Sequence, residues 1–331
     1  MKKIRVKFVN CVFFENNVRP ILEKYYEVED SDDPEYAFFD YLDYRDCTNY
    51  NCVRILYIGE NARPDFNLFD YAVSFDDIIF DNRNLRLPIY AMPTNRDRHL
   101  NRALNKNTNH TTDDLKKKAF CCFVVSNGRG ANPVREEFFK ELSNYKHIDS
   151  AGRFLNNMPG GANIPGEETQ GFARNYKFQI CFENSEYKGY TTEKIFNAWG
   201  AGVIPIYWGD PEIADIFNPN AFVRLRNTSK EEIEKTIHQV IKLDQDDKAY
   251  IKMREEPIIT GELPDYLRPG TLDRFLCEII NQPYERAIKR TNYRDGYGYY
   301  YERDFRRHVR IDKTSLASLI YKMDEFRRRD S

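Results

Sequence analysis

The sequence predicts an α/β protein made of two domains, each built on a parallel sheet. Three observations lead there. The chain has 331 residues, more than one hydrophobic core usually organises, so two domains are expected. Strand-like runs alternate with helical or loop patterns, a rhythm that produces parallel sheets. Residues 178–222 carry a complete strand–helix–strand unit with its own start and stop signals.

Taken in order, Ile4, Val6 and Phe8 alternate, and a strand-like run extends over 3–14. The opening stretch mimics a secretory signal, but Asn10 interrupts its apolar run and no small-residue cleavage site follows. Further runs cover 53–58 and 71–75. Residues 98–118 are almost wholly polar and read as a linker or surface loop, which puts the first domain at 1–117. A second α/β rhythm begins at 119–125. Asn132-Pro133 makes a helix opening, and Val134, Phe138 and Leu142 give that helix a core stripe. Residues 152–172, rich in Gly, Pro and Asn, form a long loop, and long loops in compact domains are commonly mobile or functional.

Phe178–Phe182 is short, apolar and aromatic-rich, the pattern of a buried strand. Thr191 or Thr192 caps a helix running to about Ala201, Gly200 and Gly202 stop it, and Val203–Trp208 forms the next strand. This second domain spans 118–300. A helical tail follows over 301–331, with Leu316, Leu319, Ile320 and Met323 on one face. The tail carries nine Lys/Arg against six Asp/Glu. It reads either as a weak interfacial helix touching a membrane or as a terminal helix docked on the body, the second being preferred.

Composition narrows the function classes. Aromatic residues make up 15%, with 23 Tyr and 23 Phe, enough for two cores. Fifty basic residues against 52 acidic ones argue against a general basic field, and so against nucleic acid as partner. The seven cysteines contain no C-x-x-C pair and read as small core residues in a reducing compartment. No run of about 18 apolar residues is present to span a bilayer. A cytoplasmic location is expected, with peripheral contact at the inner membrane face through the tail as the alternative.

The chemistry concentrates where the 191–201 helix begins. Asn184, Tyr190, Glu193 and Lys194 cluster there. A positive helix end beside a lysine suits phosphate, and a carboxylate beside both suits a ribose hydroxyl. Those groups suggest a nucleotide diphosphate.

Cys181-Phe182-Glu183-Asn184, five residues, then Tyr190-Thr191-Thr192-Glu193-Lys194, followed by Pro205-Ile206-Tyr207-Trp208-Gly209 and Asn218-Pro219-x-x-Phe222, resembles the donor signature of the family-ten α-1,3/1,4-fucosyltransferases. The pattern is long and irregularly spaced, which makes it specific. Gly59-Glu60-Asn61 through Asn67-Leu68-Phe69-Asp70-Tyr71-Ala72, with Arg86-Leu87-Pro88-Ile89-Tyr90 behind it, is similar to the family's acceptor-side motif. Phe123-Val124-Val125-Ser126-Asn127, followed by Arg135, is similar to a donor-side motif. The resemblance covers roughly 54–225 and is loose thereafter. Animal and plant members usually start with a membrane anchor, so the chain resembles the bacterial type or a shortened one.

The resemblance implies the GT-B architecture, two Rossmann-like domains facing across a cleft. It implies GDP-fucose as donor, bound by Arg135 and Lys194 at the phosphates and by Glu193 at the ribose. Asn184 and Tyr190 would hold the diphosphate or fucose end, with Ser126 and Asn127 also on the donor side. Tyr190 has packing as its alternative. Glu183 is left between a sugar contact and a brace for its loop. Glu60, just past the strand 53–58, is the expected general base for a single displacement that inverts the anomeric centre. The acceptor implied is the 3-OH of GlcNAc in N-acetyllactosamine-type glycans, giving Lewis-type products.

No cofactor is expected to be required, a divalent metal being at most stimulatory. Asp30-Ser31-Asp32 and Asp244-Gln245-Asp246 match the short metal-binding pattern of many sugar transferases, but neither adjoins an apolar strand that would aim it. Trp208, Phe69 and Tyr71 read as packing residues. The alternatives are an α-1,4-fucosyltransferase, a transferase of another nucleotide sugar, and a glycan-binding protein that has lost catalysis. Against the last, the clamp and base residues are all present.

Overall fold

The computed structural model describes residues 1–106, 112–291 and 296–312. They divide into two compact units, one of residues 1–74, 78–85 and 272 onward, the other of 75–77 and 86–271.

In the first unit, β1 (Lys2–Val9), β2 (Tyr26–Asp30), β3 (Tyr36–Asp40), β4 (Val53–Ile58), β5 (Tyr71–Ser74) and the short β6 (Asn84–Arg86) form a sheet in the order β2-β1-β3-β4-β5-β6. The first five pair in parallel, with Val6 opposite Tyr36, Tyr36 opposite Val53 and Ile55 opposite Tyr71. Every residue of β4 is buried, as expected of a parallel strand covered on both faces. The strand expected over 3–14 ends at Val9. Asn10 turns with a φ of 48°, and α1 (Val12–Tyr25) starts within the same apolar run. Phe14, Val18, Ile21 and Leu22 face inward at helical spacing, whereas a short apolar run alone does not distinguish strand from helix.

The second unit holds β7 (Ala119–Phe123), β8 (Ile148–Ser150), β9 (Tyr176–Phe182), β10 (Ile204–Trp208) and β11 (Val223–Arg224), in the order β11-β10-β9-β7-β8 and parallel throughout. Between β7 and β9 the winding reverses, and ligands of such sheets bind at the carboxyl ends of the strands at that point. On one face α2 (Val134–Ser143) contributes Val134, Phe138 and Leu142 to a core with Phe123, Phe178, Phe182 and Trp208. Trp208 is thus a core residue, as are Phe69 and Tyr71 in the first unit. On the other face lies α3 (Glu193–Ala201), which ends at Gly202 in the left-handed region with a φ of 69°.

Two expected boundaries move. The polar stretch from Arg98 does not link domains: Asp97–Asn101 winds as a π-helical turn and Arg102–Leu104 continues it. Its His99, Leu100 and Ala103 are buried in the second unit, whose long segment begins at 86 rather than 118. At the other end the chain returns to the first unit at 272, and the described residues 272–291 and 296–300 are not part of the second. Long-range polar bonds fasten this return. Asp70 accepts from the backbone N–H groups of Arg54, Lys289 and Arg290, and from Arg290 Nε at 2.9 Å. The helix Tyr297–Asp312 docks there as well, with Glu302 Oε1 2.8 Å from Arg54 Nη1 and 3.3 Å from Arg290 Nη1. The first part of the expected tail therefore packs on the first unit. The face bearing Leu316, Leu319, Ile320 and Met323 lies outside the described residues.

Candidate active site

A pocket of about 440 Å³ opens in the second unit at its switch point. Six of the expected donor residues line it: Ser126, Asn127, Arg135, Asn184, Glu193 and Lys194. Local folding explains why. Strand β7 delivers Ser126 and Asn127 past its carboxyl end, β9 delivers Asn184, and α3 begins with Glu193 and Lys194. Asn132 opens α2 through its side chain, which accepts from Val134 N at 3.0 Å, and its backbone N–H donates to Asn184 O at 2.9 Å. Arg135 follows in the first turn.

Lys194 is held in place from behind. Its ammonium donates to Glu183 Oε2 at 2.9 Å and to Thr192 Oγ1 at 2.8 Å. Glu183 is fully buried and also accepts from Thr192 N at 2.8 Å and from Thr192 Oγ1. Thr192 therefore precedes α3 as its N-cap but gives its hydroxyl to Glu183 rather than to the helix end. Burial alone would lower the Lys194 pKa. Glu183 and Glu193 outweigh it and hold the ammonium above its ordinary value, hence protonated. Burial likewise works to raise the Glu193 carboxyl, and Lys194 brings it below the usual range.

Arg135 is 1% exposed. Its Nη2 donates to Phe182 O at 2.6 Å and its Nη1 to Asn127 O at 3.3 Å, while burial pulls its pKa down. It thus braces the ends of both flanking strands while lining the pocket.

Three expected residues lie elsewhere. Glu183 forms no part of the pocket lining, and its contacts are those of a brace for the loop and for Lys194. Tyr190 is buried with its ring centroid 5.0 Å from that of Phe75, the packing alternative. Glu60 belongs to the first unit and sits exposed two residues past the end of β4, the position expected for it.

Other parts of the site gave no clear signal in the sequence. Asp210 is buried and shapes the turn before α3. Its carboxylate accepts from Gly189 N at 2.9 Å, Thr191 Oγ1 at 3.1 Å and Glu212 N at 2.9 Å. Gly209 has a φ of 150°, and a Cβ there would lie 2.4 Å from Glu183 Cγ, so only glycine lets Glu183 reach Lys194. His99 lines the pocket from the π-helical turn, and such turns recur at functional sites. Burial holds its imidazole below the ordinary value, with Glu193 opposing and Arg98 and Arg102 adding to the shift. The long loop, left without a role above, supplies Ile164, Gly166, Glu167 and Thr169 to the lining.

The metal-pattern carboxylates hold other partners. Asp244 bonds Lys146, Lys177 and Tyr145, and Asp246 caps a helix by accepting from Lys248 N and Ala249 N. Asp30 pairs with Arg19 and Asp32 with Lys7.

Comparison with known proteins gives a consistent picture. Residues 6–93 match the family model of the alpha-(1,3)-fucosyltransferase FucT N-terminal domain. Residues 114–278 match that of glycosyltransferase family 10 (fucosyltransferase), C-terminal part. Alpha-(1,3)-fucosyltransferase FucT of Helicobacter pylori is 33% identical over 242 residues, 63% of this chain and 48% of that protein. GDP-fucose protein O-fucosyltransferase 3 of Bos taurus is 25% identical over 67% of this chain and 50% of that protein. The chain thus spans about half the length of these curated relatives. Among solved structures, a crystal structure of alpha1,3-fucosyltransferase with GDP-fucose matches with a TM-score of 0.69 at 27% identity, covering 85% of this chain and 92% of that chain. The fold is accordingly of the GT-B class.

Proposed function

This chain belongs to glycosyltransferase family 10, the fucosyltransferases, and from that premise we propose that it moves L-fucose from GDP-fucose to a sugar hydroxyl. The observation that carries the reading is the braced Lys194 at the start of α3, in one pocket with Arg135, Asn184 and Glu193. The H. pylori relative bears the name of an alpha-(1,3) enzyme, which supports transfer to a 3-OH; GlcNAc in N-acetyllactosamine-type glycans is the acceptor proposed with it.

In this reaction the bond between fucose C1 and the β-phosphate oxygen breaks while the acceptor oxygen bonds C1 from the opposite face. The β-linked sugar becomes α-linked, and Glu60 takes the acceptor proton. Negative charge grows on the departing GDP. Lys194 and the N–H groups opening α3 take it up, with Arg135 behind them, and no resident metal is required. Glu193 accepts from the ribose hydroxyls. A second acceptor class, a protein hydroxyl, is favoured by the name of the Bos taurus relative. An acceptor panel of disaccharides and peptides, read by product linkage, separates the two.

Thermal unfolding tests the donor assignment. A ligand at a hundred times its Kd adds roughly 2.7 kcal/mol to stability. GDP should therefore raise Tm by several degrees, and UDP and CMP far less. Equal protection by all three, or none by GDP, contradicts the assignment.

A further inference from the structure

A second cavity, of about 560 Å³, opens within the first unit. Asp70, the residue before β5, fixes its place. Arg83 Nε donates to Asp70 O at 2.8 Å and the Lys289 N–H to Asp70 Oδ1 at 2.7 Å, and both side chains line the cavity. It therefore lies at the amino end of β5. Glu60 follows the carboxyl end of β4, and in a parallel pair those are opposite edges.

Arg83 is 6% exposed. Its Nη2 donates to Phe66 O at 2.8 Å and to Phe69 O at 2.7 Å, and its guanidinium carbon stands 4.8 Å from the Phe66 ring centroid and 4.9 Å from that of Phe80. The acceptors it holds are all backbone carbonyls, and among the described residues its Nη1 has none. Lys289 Nζ lies 3.4 Å from the exposed Asp81. The helix Tyr297–Asp312 begins at the same cavity, and its first N–H groups have no acceptor within the helix. A Cβ on Gly298 would collide with Thr291 O, so glycine is what lets the chain close there.

A guanidinium edge, an ammonium and a helix start thus meet at a cavity in which no described lining residue is acidic. Phe66, Phe80 and Tyr297 give it aromatic walls, and Phe80 and Tyr297 keep 47% and 96% of their surface exposed. We propose that this cavity binds an acidic sugar, its ring against Phe80 and Tyr297 and its carboxylate or phosphate on Arg83 Nη1, Lys289 and the helix start. A sugar ring carries C–H groups on its faces and polar groups on its rim. Aromatic side chains match the first, and the three positive features match an anion on the second. The site is separate from the place assigned to the reacting hydroxyl.

Titration calorimetry of the whole chain with methyl glucuronide, glucose 6-phosphate, methyl glucoside, inorganic phosphate and AMP tests this. At least one acidic sugar should bind roughly tenfold or more tighter than methyl glucoside, the scale of one hydrogen bond to a charged group. The preferred one of the two identifies the acid. Lys289→Gln should weaken that sugar about tenfold, and Lys289→Arg should restore it. Phe80→Ala should weaken the acidic sugar and leave inorganic phosphate unchanged. Acidic sugars that bind no tighter than methyl glucoside, or that bind Lys289→Gln and Phe80→Ala as they bind the wild type, overturn the proposal. AMP binding more tightly than either acidic sugar overturns it too, as does inorganic phosphate binding as tightly as the preferred one.

Discussion

At the scale of single residues the site is a set of side chains committed in pairs. Lys194 depends on Glu183, Glu183 on Thr192, and the approach of all three on the missing Cβ of Gly209. The sequence made Lys194 and Glu193 legible because a signature with unusual spacing carries them. It did not separate Glu183 as ligand from Glu183 as brace, since both uses place a carboxylate at a strand end. His99 was invisible for another reason: one histidine in a polar stretch has no local pattern, and only the packing of the π-helical turn brings it to the pocket. Its lowered pKa carries a consequence for stability. As pH falls below about 6.5, the unfolded chain takes up a proton that the folded one resists, so stability falls with it. Unfolding midpoints between pH 7.5 and 5 should therefore decline less steeply for His99→Gln than for the wild type. Parallel declines would remove His99 from the cause.

At the scale of elements, the strand–helix–strand unit was readable almost to the residue. β9, α3 and β10 lie within two residues of the expected spans, and α3 runs through Gly200 to end at Gly202, the second of the two glycines expected to stop it. Buried parallel strands and glycine caps leave local marks. The helix at Val12 and the one through His99 left none, one hidden in a strand-like run and the other in a polar stretch with three inward residues. The return of the C-terminal segment to the first unit was hidden too, because it depends on Asp70 meeting Arg290, residues 220 positions apart. Asp70 stands in the acceptor-side motif, yet all its contacts hold backbone and arginine in place. Removing one partner of a buried charge pair costs about 3–5 kcal/mol. Asp70→Ala should lower the unfolding free energy of the first unit by about that amount in urea titration. A loss below about 1 kcal/mol, the scale of a surface pair, would show the cluster to be incidental.

At the scale of the whole molecule, two α/β units with parallel sheets were predicted and are present, but the first is assembled from three separate segments of the chain. Length and alternation revealed the number of units. They carried no information on where the last helices pack, because those helices have no strand partner to reveal their place. Among the described residues no helix is long and apolar enough to cross a membrane. On the proposed mechanism protein cations, rather than a coordinated metal, take up the charge that GDP carries away. The direct test is the initial rate of fucose transfer from GDP-fucose to N-acetyllactosamine in EDTA, for the wild type and Lys194→Ala. The wild-type rate should be undiminished, and the variant should lose roughly 100- to 1,000-fold. A wild-type rate abolished by the chelator, together with a Lys194→Ala rate close to wild type in added metal, would contradict that mechanism.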